Sequence, residues 1–241
     1  MNTFSRNLPL ASSPVASGSR STGLGVLLIA DALLSFAPVV ILGAAIGWPA
    51  SLDNPAAQQL AAIAAEPSGV ALGYAVYLLY SILIAPVMIG LAARTFGGLS
   101  YPLAATVAAF AALSALARSI GILRWLTVMP VLATAHAGAD PALRSQIEWL
   151  FTGLNEYGGG IGEVLGVSVF MAASVGTLAV GALLRGSMPR WLAGLGLLSA
   201  VLLAGLALPV LRGPDLVPVA AAVSLLSVWM LAAGVWVLRG R

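Results

Sequence analysis

Six apolar runs, each long enough to cross a lipid bilayer, constrain this chain more than any other feature. They cover about 23–47, 68–93, 101–129, 159–184, 190–211 and 216–238. A helix needs about 20 apolar residues to span about 30 Å of hydrocarbon. The runs are continuous, without strand-like alternation. Backbone polar groups in lipid must be satisfied within the segment, so the runs read as helices and not as barrel strands. The predicted fold is all-α: a polytopic membrane bundle of six transmembrane helices. Composition agrees, with 60% hydrophobic and 8% charged residues against roughly 25% charged in a soluble domain.

Arginine placement orients the bundle. All eleven basic residues are Arg. With the N-terminus inside, the cytoplasmic side receives Arg6, Arg20, Arg94, Arg185, Arg190, Arg239 and Arg241, and the outer loops receive Arg144 and Arg212. That asymmetry follows the positive-inside rule, and an odd number of spans spoils it. The expected topology has both termini in the cytoplasm, in a bacterial inner membrane. Residues 1–22, rich in Ser, Pro and Ala, read as a disordered cytoplasmic tail, and 23–241 as one transmembrane domain. The run after the tail is too long for a signal-peptide core and reads as a retained anchor. Single arginines at helix ends form no nucleic-acid footprint.

Most loops are short. The exception, about 130–158, opens with Asp140-Pro141, an N-cap followed by proline at the first helical position. Leu143, Ile147, Leu150, Phe151 and Leu154 then recur at helical spacing, beside a polar face of Arg144, Glu148, Thr152 and Asn155. The pattern predicts an amphipathic helix over about 140–157 lying on the outer interface. Gly158, Gly159 and Gly160 are expected to turn the chain down into the fourth span. A weaker short helix is expected within 48–67. No three-plus-three inverted repeat of the kind found in transporters is evident.

Ionisable groups inside a membrane are costly and mark functional sites by default. Four stand out: Asp31, Arg118, Arg124 and Glu163. At 1.5 Å per residue, Glu163 and Arg124 fall about 6 Å and about 9 Å below the outer edge. Arg118 falls about 9 Å deeper and Asp31 about 12 Å from the inner edge. Glu163 is thus expected to pair with Arg124 or, less easily, Arg118; Arg118 is the nearest partner by depth for Asp31. The bland alternative is a buried ion pair that fixes helices three and four. Tyr74, Tyr77 and Ser81, with Tyr80 beside them, supply a polar stripe on helix two. His136 reads as a surface-loop histidine. With one His and no Cys, neither a metal site nor a cofactor is expected. Gly160-Ile-Gly162-Glu-Val-Leu-Gly166 superficially matches a dinucleotide fingerprint, but no strand precedes it and it enters a membrane helix. Gly162 and Gly166 form a small-xxx-small pair suited to close helix packing.

Several stretches then resemble a known family. These are Gly121-Ile-Leu-Arg124-Trp125, Pro130-Val-Leu-Ala133, Phe151-x-x-Leu154-Asn155-x-Tyr157-Gly158, Gly162-Glu163-x-Leu165-Gly166 and Met188-Pro189-Arg190-Trp191-Leu192-x-Gly194-x-Gly196. Together they resemble the core of domain-of-unknown-function family 4386, bacterial six-helix membrane proteins. The resemblance implies the same topology and points to Arg124, Asn155, Tyr157 and Glu163 without implying a reaction. Asp31 and Arg118 fall outside the pattern.

Three functions remain open from the sequence. The first is binding or transport of a small anionic or amphipathic molecule in an outward-facing polar pocket. Its ligand-binding candidates are Arg124, Glu163, Asn155, Tyr157, Arg118, Asp31 and Tyr77, with Arg124 holding the anion. The second is a structural or regulatory component acting through helix contacts, including a homo-oligomer through small-residue faces. The third is a membrane-embedded enzyme for a lipid or quinone with Glu163 as general acid or base; no nucleophile–base pair supports it.

Overall fold

A computed structural model describes residues 17–240. Every element among them is helical. The apolar runs become α1 (Ser17–Leu34) and α2 (Ala37–Ile46), α4 (Pro67–Phe96), α5 (Pro102–Leu126), α8 (Met171–Arg185), α9 (Arg190–Gly205) and α10 (Val219–Leu238). The connecting segments hold α3 (Ala56–Ala65), α6 (Val128–Gly138) and α7 (Pro141–Gly159). The expected tail lies mostly outside the described residues, and α1 already begins at Ser17.

Five helical stretches are long and apolar enough to cross a membrane: Thr22–Ile46, Pro67–Phe96, Pro102–Gly138, Pro141–Arg185 and Val219–Leu238. The apolar helix α9 has 16 residues, about 24 Å at 1.5 Å per residue, and falls short of that length. Large apolar side chains cover the outside, among them Leu72, Leu116, Leu184 and Val201. A surface this greasy has hydrocarbon as its natural solvent. The chain is a multi-pass membrane protein.

Local chemistry explains the interruptions. The first span bends between α1 and α2 because Pro38 sits in the first turn of α2 and has no N–H to continue the ladder. Ser35 stands at the bend, and its Oγ lies 2.6 Å from Ala32 O and 2.9 Å from Ser227 Oγ of α10. Gly97 and Gly186 end α4 and α8 at φ +81° and +62°, a region glycine enters without steric cost. Arg94 and Arg185 occupy the last turns before them, where a cation suits the helix dipole.

Two expectations need correction. The third run is not one helix, because the chain breaks at Thr127 (φ −120°, ψ −68°) before α6 begins. Nor do Gly158, Gly159 and Gly160 form a turn. The chain stays helical through them, into an i→i+5 π-helix over Gly160–Phe170, here called the π segment, and on into α8. The amphipathic helix therefore continues the fourth span. Its N-cap is as expected: Leu143 N–H donates to Asp140 Oδ1 at 2.9 Å.

Those glycines serve contact and not turning. The end of α7 and the π segment pack antiparallel on α5, pairing Gly158 with Arg124, Gly162 with Gly121 and Gly166 with Arg118. A Cβ on Gly121 lies 2.7 Å from Gly162 Cα, and one on Gly166 lies 2.6 Å from Arg118 Cγ. Small residues let membrane helices approach this closely. Ser114 Oγ donates to Gly166 O at 2.7 Å across the same seam.

Two cores result. A large one joins α1, α4, α5, α8, α9 and α10 around Trp229, Met88 and Met171. A smaller one, around Leu60, Trp125, Met129 and Phe151, fastens α3, α6 and α7 as a cap. His136 belongs to helix α6 and not to a loop; its Nε2 lies 2.8 Å from Glu148 Oε1 on α7 and ties the cap together.

Replacing Gly121 with Ala places a methyl against backbone that cannot yield. Overpacking of this kind costs about 1–3 kcal/mol, or about 5 °C in melting temperature at this chain length. Gly153, which has open space around it, serves as the contrast. Thermal unfolding in detergent is expected to show Gly121→Ala melting lower and Gly153→Ala at or above wild type. Equal melting of the two variants contradicts the packing.

Candidate functional site

Three elements and one loop converge beneath the cap. On α4, Tyr74 and Tyr77 stand one turn apart. On α5, Arg118, Gly121, Ile122 and Trp125 fall on one face at spacings of three to four. The π segment turns Glu163 and Val167 the same way, and Trp48 and Leu52 fold over from the end of α2. Together these side chains line a partly open cavity of about 50 Å³. Glu163 is exposed at its rim, whereas Arg118 is 3% exposed at its wall.

The walls are aromatic and rigid. Tyr74 stacks on Trp125 with centroids 4.7 Å apart and planes within 6°. Trp125 meets Phe151 of α7 edge to face at 6.3 Å. Trp48 stands edge-on to Tyr77 at 6.1 Å. Such pairs prefer these geometries because the ring face is negative and its edge positive. The stack joins the cap to the cavity.

The two arginines differ in how their donors are used. Arg124 Nε donates to Asn155 Oδ1 at 3.2 Å, and its Nη1 donates to Gly121 O. Its aliphatic stem lies on Gly158. Arg124 is thereby held between α5 and α7. Arg118 lies on Gly166, with its guanidinium carbon 4.5 Å from the centre of the Tyr80 ring. Its Nε and Nη1 have no hydrogen-bond partner among the described residues.

Glu163 shares the cavity with both arginines and feels the charge of Arg124. Neither arginine approaches it within the 4 Å of an ion pair: among the described residues the recorded pair is His136–Glu148. The expected closed Arg124–Glu163 contact is therefore open. Asp31 does not line the cavity; it is fully buried on α1, with neither carboxylate oxygen partnered among the described residues and Arg118 as the cation acting on it.

Of the residues singled out in the sequence, Arg118, Arg124, Glu163 and Tyr77 line the cavity, as does Tyr74. Asn155 reaches it indirectly through Arg124. Tyr157 does not: it is 73% exposed on the outside of α7. Two positions apart on a helix point about 200° apart, so Asn155 and Tyr157 cannot both face inward. The sequence reading missed Trp48. A lone Trp after a helix gives no signal that the chain folds back over the bundle.

No curated protein and no solved structure matches the chain. A family model described as "Domain of unknown function (DUF4386)" matches residues 24–240, in agreement with the motif resemblance seen around Arg124, Asn155 and Glu163. The chain belongs to the DUF4386 family.

Proposed function

We propose that this protein binds a small amphipathic monocarboxylate from the outer half of the membrane, as a binding or transport-related component. The observation that carries the reading is Arg118. A guanidinium 3% exposed, on a cavity wall, flanked by Tyr77 and Tyr80 but with Nε and Nη1 unpartnered among the described residues, gains strongly when an anion meets it. Guanidinium and carboxylate match in shape and form paired, charge-assisted hydrogen bonds. Arg124, the anion holder expected from the sequence, has its Nε and Nη1 committed to Asn155 and Gly121, so it positions the wall while Arg118 receives the ligand. Trp48, Tyr74 and Trp125 offer the apolar tail its surface. Glu163 at the rim disfavours more highly charged anions.

The membrane frame of this reading has six spans with both termini in the cytoplasm of a bacterium. The arginine asymmetry supports it. So does the 3₁₀ turn Pro209–Leu211, which extends the reach of α9 as a sixth span. In this frame α3, α6 and α7 lie at the outer face. The rival reading as a scaffold for helix contacts has less support, since Gly162, Gly166 and Gly196 are spent on neighbours inside the chain.

Two experiments follow. The sequence has no Cys, so single cysteines report sidedness cleanly. In right-side-out membrane vesicles an impermeant maleimide is expected to label Ser145→Cys at once and Ser100→Cys only after permeabilisation. The reverse pattern overturns the topology. For the ligand, Trp48 and Trp125 in the cavity wall make tryptophan fluorescence the readout. Hexanoate titrated into the detergent-purified protein is expected to give a saturable change. Arg118→Gln, folded by its melting curve, is expected to weaken binding at least about 30-fold, the loss of about 2 kcal/mol from a charge-assisted hydrogen bond. Wild-type affinity in Arg118→Gln, or no saturation in the wild type, overturns the reading.

A further inference from the structure

Arg118 lines the cavity, and its charge also acts on Asp31, a fully buried carboxylate with no hydrogen-bond partner among the described residues. Resting on the reading of Arg118 as the anion seat, we propose that carboxylate binding in the cavity is coupled to the uptake of one proton by Asp31.

The surroundings of Asp31 leave few alternatives. Its helix α1 packs on α2, α4 and α10. No titratable side chain occurs in α2 (Ala37–Ile46) or α10 (Val219–Leu238). From α4 come Tyr77 and Tyr80, which together flank Arg118. The remaining charge of α4, Arg94, lies in its last turn over Trp236. From α5 comes Arg118 itself. Across the cavity stand Arg124, Glu163 and Tyr74. Asp31 is fully buried, and neither of its oxygens has a hydrogen-bond partner among the described residues.

Charge balance does the rest. With Asp31 ionised, Arg118 and Asp31 sum to zero in the middle of the bundle. A bound monocarboxylate adds one negative charge to that enclosed site, and an uncompensated charge there is strongly unfavourable. One proton from water, bound to an Asp31 oxygen, restores neutrality. The net event takes one carboxylate anion and one proton out of solution; it forms one O–H bond on Asp31 and alters no other covalent bond. Linkage fixes the sign. Protonated Asp31 favours the anion, so affinity is highest at low pH and declines as pH rises through the ionisation of Asp31 in the ligand-free protein.

The test uses the full chain in detergent with hexanoate, between about pH 6 and about pH 8, where a carboxylate probe stays ionised. Calorimetric titration in two buffers of different ionisation heat counts protons directly. The wild type is expected to take up a fraction of a proton per hexanoate that rises toward one at the upper end of this range, with Kd rising by up to tenfold per pH unit there. Asp31→Asn is expected to bind without proton uptake, at a pH-independent affinity equal to the low-pH limit of the wild type. Glu163→Gln is expected to retain the uptake. PH-independent wild-type binding without proton uptake overturns the coupling and leaves the binding site standing. Uptake that persists in Asp31→Asn, or disappears in Glu163→Gln, also overturns it. Failure of the wild type to bind at any pH removes both readings. The wild-type proton count decides the matter even where Asp31→Asn does not fold.

Discussion

The contact between Gly121 and Gly162 is the constraint from which the polar centre follows. Two backbones that touch at a glycine pair bring α5 and the π segment closer than side chains normally allow. One turn to either side, Gly158 and Gly166 leave the space in which Arg124 and Arg118 lie flat along the seam. Without that space two guanidinium groups of this size have no route into the bundle. The i→i+5 bonding of the π segment belongs to the same arrangement. Its wider turn keeps glycines spaced by four residues on the contact face while Glu163 and Val167 face the cavity. Such π segments recur at functional sites.

Around this seam several buried polar groups are answered by a neighbouring helix. Ser168 Oγ donates to Leu203 O at 2.6 Å, Ser174 Oγ to Val107 O at 3.0 Å, and Trp229 Nε1 to Leu192 O at 3.1 Å. Each joins two helices and satisfies a group that lipid cannot. Arg124 is satisfied in the same manner by Asn155 and Gly121. Against this background Asp31 and Arg118 differ, because their charged atoms are buried and still have unmet hydrogen-bonding capacity. Neutral hydroxyls such as those of Tyr80, Ser81 and Ser199 also lack partners among the described residues, but a buried charge without a partner costs far more than a buried hydroxyl.

Much of this was legible in the sequence. Long apolar runs identify membrane helices because the hydrocarbon thickness sets their length. Depth arithmetic alone put Arg124 and Glu163 near one level, and Arg118 within reach of Asp31. The N-cap at Asp140 followed from a local hydrogen bond. What escaped depended on helix phase and long-range packing. Gly158 and Gly160 looked like a turn because glycine permits one; only the face presented by α5 shows that their use is close approach. Tyr157 looked like a site residue from its neighbours in the chain, yet its angle about the helix sends it outward. Trp48 gave no local sign of folding over Tyr77. Arg124 outranked Arg118 because it lies nearer the outer edge, whereas donor use favours Arg118.

The central claim is that Arg118, and not Arg124, is the seat of an anion inside this bundle. The most direct measurement is an electron cryo-microscopy map of the protein with a brominated short-chain carboxylate. The account requires density in the cavity, with the carboxylate against Arg118 and the halogenated tail against Trp48 and Trp125. A map in which Arg118 closes directly onto Asp31, with the cavity collapsed or the ligand bound elsewhere, contradicts it.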